Sequence, residues 1–278
     1  MSVFDWISMA SEFDIEGLEM YDRFLTSLDY EYLLEVKHAA NKAGFVIPML
    51  ICSPDFTTPD QKERDRAIQY QSKMIEVASI LGGEGTICRT LSGQFRPEVT
   101  RQEGVTWVVE AIRSVLPIAK KRRVILAMEN HYKDSQWTRH EFALKQNVFL
   151  EIIQAIEERT YFGVQYDPSN AIVAGEDPIE LLNKVKDRVV SMHASDRYLK
   201  EGFTVEELRA DENRLGYSEY LSHGVIGRGL NDYEKIFSIL SQSGFNGWIS
   251  IEDGINGLQE IRESIQFLKR MRHKYYGQ

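Results

Sequence analysis

Residues 161–167 read YFGVQYD and residues 123–129 read RVILAME. Each is a short, nearly continuous apolar run that closes on a carboxylate. Apolar residues on both alternating faces suit a strand covered on both sides, as in a parallel sheet. Burying an acid at the end of such a strand is costly, so Asp167 and Glu129 call for a reason. The pattern recurs downstream, where RVVSMHA (188–194) carries His193 near its end and GWISIE (247–252) ends on Glu252. Upstream, IEGLEM (15–20), FVIPMLI (45–51) and EGTICR (84–89) complete seven strand candidates.

Amphipathic stretches alternate with these runs. Helices are predicted near 3–13, 30–43, 59–81, 98–121, 140–159, 178–187, 231–243 and 257–274. Ser2 and Asp5 form a capping box, as do Thr58 and Gln61 around Pro59; Asp177-Pro178 opens one helix, and Asn231 with Glu234 another. Gly82-Gly83 and Gly244 fall where helices should stop. Strict β/α alternation implies right-handed βαβ units. The fold expected over 1–278 is a single α/β domain, a (β/α)8 TIM barrel lacking its first β-strand, with seven strands and eight helices. A chain that begins one strand late predicts a gap in the barrel beside the first helix. The interval between His193 and Glu252 is about twice a normal repeat, so 197–230 is expected to form a long loop on the catalytic face.

The chain has 278 residues, 43% of them hydrophobic, which is ample for one large core. Its net charge of -9 argues against nucleic acid or an anionic membrane as partner, since both demand a basic footprint. No apolar run approaches the roughly 18 residues that span a bilayer. The two cysteines, Cys52 and Cys88, with no secretory signal, read as reduced thiols of a cytoplasmic protein.

In a parallel barrel the reacting groups stand at the C-terminal ends of strands. Glu129, Asp167, His193 and Glu252 all occupy that position. Three acids and an imidazole on one rim repel one another unless a cation sits among them. Mixed carboxylate and imidazole ligation suits a divalent Mn, Mg, Zn, Co or Fe ion rather than a thiolate metal. The bland alternative, four unrelated solvated or helix-capping groups, fits any one residue better than it fits all four in succession.

The segments AMEN (127–130), YDPSNAIVAGEDP (166–178), SMHASDR (191–197), HGVIGRGLNDY (223–233) and GWISIEDG (247–254) together resemble the xylose isomerase-like TIM-barrel superfamily. The nearest group is that of sugar phosphate isomerases and epimerases, including D-tagatose 3-epimerase-like enzymes. The resemblance implies that Glu129, Asp167, His193 and Glu252 bind one divalent metal ion and that Glu129 and Glu252 form the acid/base pair. It implies as substrate a sugar or sugar phosphate, isomerised or epimerised through an enediolate that the metal stabilises. The related endonuclease IV-like branch has a histidine where this chain has Asn170, which disfavours a multi-zinc nuclease.

Further substrate-binding candidates are His131, two residues beyond Glu129; Asn170; Arg197, whose planar guanidinium suits an oxyanion; Trp137, placed to stack on a sugar; and His223 and Arg228 around the Gly227–Gly229 turn. For His131 and Arg197 a surface role is an equal alternative, and Arg228 suits packing against a neighbouring loop. Trp6, Trp107 and Trp248 read as core. Ser53, Asp55 and Arg89 fall on the same expected face without assigned roles. Two other outcomes share these residues: a dehydratase of a keto-sugar or cyclic polyol, which begins with the same proton abstraction, and a barrel that binds sugar or metal without turnover. The oligomeric state stays open, and a gap beside the first helix would favour a homo-oligomer.

Overall fold

The computed structural model describes residues 1–210, 220–252 and 254–277. Two compact units emerge, Met1–Met128 with Ile152–Gly163, and Glu129–Glu151 with Val164–Gln278.

In the first unit, α1 (Val3–Ala10) precedes β1 (Met20–Tyr21), α2 (Tyr30–Lys42), β2 (Met49–Ile51), α3 (Gln61–Leu81), β3 (Ile87–Thr90), α4 (Arg101–Arg122) and β4 (Ile125–Glu129), whose last residue, Glu129, belongs to the second unit. Neighbouring strands pair in parallel from β1 through β4. No strand precedes α1 among the described residues. Met20, Met49, Leu50, Cys88, Leu126 and Met128 are all fully buried, the burial expected of strands covered on both faces. The first strand is shorter than 15–20 and lies later. Only an isolated bridge from Gly17 to Val46 precedes it, since a glycine weakens a strand interior.

Ser2 and Asp5 form the expected capping box of α1. The start of α3 differs from the Thr58–Gln61 box. Asp60 caps it, its carboxylate accepting from the N–H groups of Lys62 and Glu63. A carboxylate is the stronger acceptor at a helix N-terminus. Arg89 is buried in β3, where its guanidinium donates to Cys52 O at 3.3 Å and Ser53 Oγ at 2.9 Å. Asp55 is held by Arg96 at 2.7 Å. Cys52 and Cys88 are free and buried, with their sulfurs 4.0 Å apart. Trp6 and Trp107 are half-buried, and Arg64 lies over the Trp107 ring at 4.0 Å.

Beyond β4 come α5 (Gln146–Ala155), β5 (Phe162–Tyr166), α6 (Pro168–Val173), α7 (Pro178–Val185), β6 (Val189–Ala194), β7 (Arg197–Leu199), α8 (Val205–Ala210), β8 (Leu221–His223), α9 (Tyr233–Gln242), β9 (Trp248–Ile251) and α10 (Leu258–Tyr276). In the second unit β5, β6 and β9 are parallel neighbours. Trp248, expected in the core, is 37% exposed at the start of β9, an end strand of its sheet. The short helices α6 and α8 go beyond the eight expected.

The described parts of the segment 197–230 form regular elements rather than a plain loop. Its β7 and β8 form an antiparallel pair, with Arg197 opposite His223. Together with α8 they supply Leu208 and Leu221 to a cluster with Tyr132, Leu144, Ile172 and Val173. Its middle part, 211–219, lies outside the described residues. A single buried carboxylate gathers the following turn: Asp196 accepts from the N–H groups of Gly227, Gly229, Asn231 and Arg197 at 2.9–3.1 Å. Gly229 is required there, because a Cβ would fall 2.4 Å from Arg197 O and 2.5 Å from the Asp196 carboxylate. Asn231 is consequently turned inward, its amide donating to Ser169 Oγ and Ser195 O, and Asp232 caps α9 in its place.

Candidate functional site

All four strand-end residues belong to the second unit. Glu129 is the last residue of β4 and Asp167 follows β5 directly. His193 is the penultimate residue of β6, and Glu252 follows β9. In the β6–β9 pairing His193 faces Ser250, which puts Glu252 two residues on, on the same face. The β5–β6 register slips between Val164 and Gln165, so that from Gln165 onward β5 is matched with Ser191 and Met192. A one-residue slip exchanges faces, and this irregularity sets Asp167 in step with His193.

One ligand atom from each of Glu129, Asp167, His193 and Glu252 lies within 4.8 Å of the others. His193 Nδ1 is 3.2 Å from Glu129 Oε1 and 3.0 Å from Glu252 Oε2. Glu129 and His193 are fully buried and Asp167 nearly so, whereas the Glu252 side chain is 44% exposed. Burial, reinforced by the carboxylates of Glu252 and Glu129, pushes the Asp167 carboxyl up to about 7, with His193 and Arg197 opposing. A divalent cation at the centre would remove that repulsion, and three oxygens with one imidazole nitrogen match the donor preferences of Mn, Mg, Zn or Co. Asp167 also caps α6 through Oδ1, which accepts from Ser169 and Asn170 N–H. The helix-capping alternative is thus realised for this residue, and a second carboxylate oxygen keeps ligation compatible with it.

Of the other candidates, Asn170 joins the quartet, donating to Glu129 Oε1 at 3.3 Å. Arg197 is buried, and its guanidinium donates to Asp196 O at 3.0 Å and contacts His223 Nδ1 at 2.9 Å. His131 is buried, with Nδ1 3.1 Å from Glu141, itself fully buried, and its ring stacked on Tyr132. Trp137 is buried, 8% exposed, in the segment after β4. Arg228 is 63% exposed and pairs with Glu263 of α10 at 2.7 Å.

Three further residues shape the site. Asn130 clips the Asp167 backbone, donating to its carbonyl at 2.6 Å and accepting from its N–H at 2.8 Å. Asp196 anchors the turn described above. Gln165 reaches the outer nitrogen of His193. For Gln165 a signal existed: a polar residue inside an otherwise apolar strand, two before Asp167 and so on its face.

The chain is similar to several known proteins. The chain is 28% identical over 93 residues to the inosose dehydratase of Lacticaseibacillus casei, covering 31% of this chain and 28% of that enzyme. It is 21% identical over 196 residues to the inosose dehydratase of Clostridium tetani, covering 69% and 60%. The matches span less than two thirds of the length of both relatives. Among solved structures, a xylose isomerase domain protein from Planctomyces limnophilus superposes with a TM-score of 0.75 at 18% identity, covering 98% of this chain and 93% of that one. A D-tagatose 3-epimerase-like protein gives 0.74 at 18%, covering 97% and 93%. The IOLI protein, solved with a zinc atom, gives 0.70 at 18%, covering 99% and 94%. The family model of the xylose isomerase-like TIM barrel matches residues 7–271, and the chain belongs to that family.

Proposed function

We propose that this protein is a divalent-metal-dependent isomerase or epimerase of a sugar or sugar phosphate, working by proton transfer through an enediolate. The observation that carries the reading is the convergence of four ligand atoms within 4.8 Å, three of their residues buried. Asp167 and His193 act as ligands only, while Glu129 and Glu252 both bind the cation and move protons. A bound divalent cation supplies polarisation of the carbonyl and hydroxyl oxygens of the substrate and stabilises developing negative charge. Glu252, partly exposed, takes or returns a proton on the accessible side. Glu129, enclosed by Asn170 and His193, serves the other. Arg197, fixed by Asp196 O and in contact with His223, provides a preset cation for a substrate oxyanion. The net charge of -9 supports a small molecule rather than a polyanion as partner.

A second reading, dehydration of a keto-sugar or cyclic polyol, is favoured by the likeness to inosose dehydratases. Both reactions start with removal of a proton beside a carbonyl and differ in whether hydroxide then leaves. The test is incubation of Mn²⁺-loaded protein in D₂O with ketoses, ketose phosphates and keto-cyclitols, followed by NMR. Deuterium at the carbon beside the carbonyl with a rearranged sugar supports the first reading, and loss of water supports the second. A protein that binds metal yet exchanges no proton on any of these classes overturns both.

A further inference from the structure

Gln165 is fully buried on β5, and its Nε2 lies 2.5 Å from Nε2 of His193. The other ring nitrogen of His193 faces Glu129 and Glu252. Written this way, the amide N–H donates to an unprotonated Nε2, and Nδ1 must carry the proton. That tautomer has no lone pair at Nδ1 to offer a cation.

Turning the amide over, an exchange of N and O that the shape of the side chain hardly distinguishes, restores that lone pair. Oε1 then accepts from Nε2–H, and the Nδ1 lone pair points into the quartet. The irregular register between Val164 and Gln165 matches Gln165 with Ser191, two residues before His193, so the contact is built into the sheet. Among side chains of this size, an amide can serve either tautomer, donating to Nε2 when Nδ1 is protonated and accepting from Nε2–H when Nδ1 ligates.

From this geometry we infer that Gln165 is the positioning residue of the metal site, whose amide turns to hold His193 as an Nδ1 ligand; the inference rests on the cation site proposed above. An acceptor behind a ligating histidine fixes ring and tautomer, and its loss typically weakens metal binding about 10- to 100-fold. Leucine keeps the volume without a hydrogen-bonding group, and glutamate keeps the acceptor.

The test compares wild type, Gln165→Leu and Gln165→Glu. Zinc affinity is read by calorimetry, and the His193 ring ¹⁵N shifts are read by NMR with and without Zn²⁺. Expected are a 10- to 100-fold weaker zinc affinity in Gln165→Leu, affinity at least equal to wild type in Gln165→Glu, and ring ¹⁵N shifts of metal-free His193 that move in Gln165→Leu. Unmoved shifts would show that the contact is absent and overturn the inference. So would unchanged zinc affinity in Gln165→Leu. If wild type binds neither Zn²⁺, Mn²⁺ nor Co²⁺, the proposed function fails together with the role given to Gln165. A wild type that binds zinc beside an equally tight Gln165→Leu variant overturns this inference alone.

Discussion

His193 Nδ1 stands 3.0 Å from Glu252 Oε2, joining a fully buried imidazole to a carboxylate that is 44% exposed. The pairing of His193 with Ser250 sets this relationship. The site thus has two buried carboxylates, Glu129 and Asp167, and one, Glu252, with access to solvent.

Glu129→Gln and Glu252→Gln should each lower kcat by about 10²- to 10⁴-fold, the usual contribution of a positioned acid or base. Each retains an oxygen for a cation, so both variants should still bind Mn²⁺. Steady-state kinetics on a substrate identified by deuterium exchange, alongside metal titration, separates the two effects. Full turnover in both variants would remove the acid/base assignment.

Divalent metal should raise the melting temperature. Binding only to the folded chain stabilises by about 2.7 kcal/mol at a hundredfold excess over Kd, a gain of several degrees for a chain of this size. Asp167→Asn should lose part of that gain, because it keeps an oxygen for the cation but removes one negative charge from the centre. Differential scanning calorimetry with and without EDTA reads it. An equal metal-induced rise in Asp167→Asn would place the cation elsewhere.

Sequence alone revealed the quartet because strand-end acids in apolar runs are conspicuous, and the period of two assigns their face. It did not reveal the slipped register at Gln165, which depends on the pairing partner and not on local residues. Arg228 read as a ligand candidate because charge and glycines are visible in a string, whereas its partner Glu263 is 35 positions away in α10. The exchange of Asn231 for Asp232 as the cap of α9 has the same origin. Both residues can cap, and the tertiary demand of Ser169, Ser195 and Asp196 on Asn231 decides between them.

Asp196→Ala should destabilise the folded protein by about 2–5 kcal/mol. Four backbone N–H groups lose their acceptor at once, and each unsatisfied buried donor costs about 1–3 kcal/mol before relaxation and water entry. Asp196→Asn keeps one acceptor oxygen and should cost less. Chemical denaturation reads both. A cost under about 0.5 kcal/mol for the alanine variant, the range of an ordinary surface change, would contradict the role of Asp196 as the anchor of 227–231.

Glu158 supplies an acid-dependent component of stability. Lys120 pairs with its carboxylate at 2.5 Å, and the N–H groups of Thr160 and Tyr161 donate to it at 2.8 and 3.2 Å. The Lys120 contact, followed by the Thr160 N–H, pulls its pKa from 4.5 down to about 2. A carboxyl held lower in the folded state than in the unfolded state stabilises the fold above the unfolded value. The benefit is lost as pH falls through about 4.5 toward about 2, because the unfolded chain takes up the proton first. Glu158→Gln has no such titration. The difference in unfolding free energy between wild type and this variant should therefore be constant above about pH 5.5 and shrink steadily below about pH 4.5. Urea denaturation across pH 2.5–7 measures that difference, and one that stays level across the acid range would show that the Lys120–Glu158 pair contributes nothing in solution.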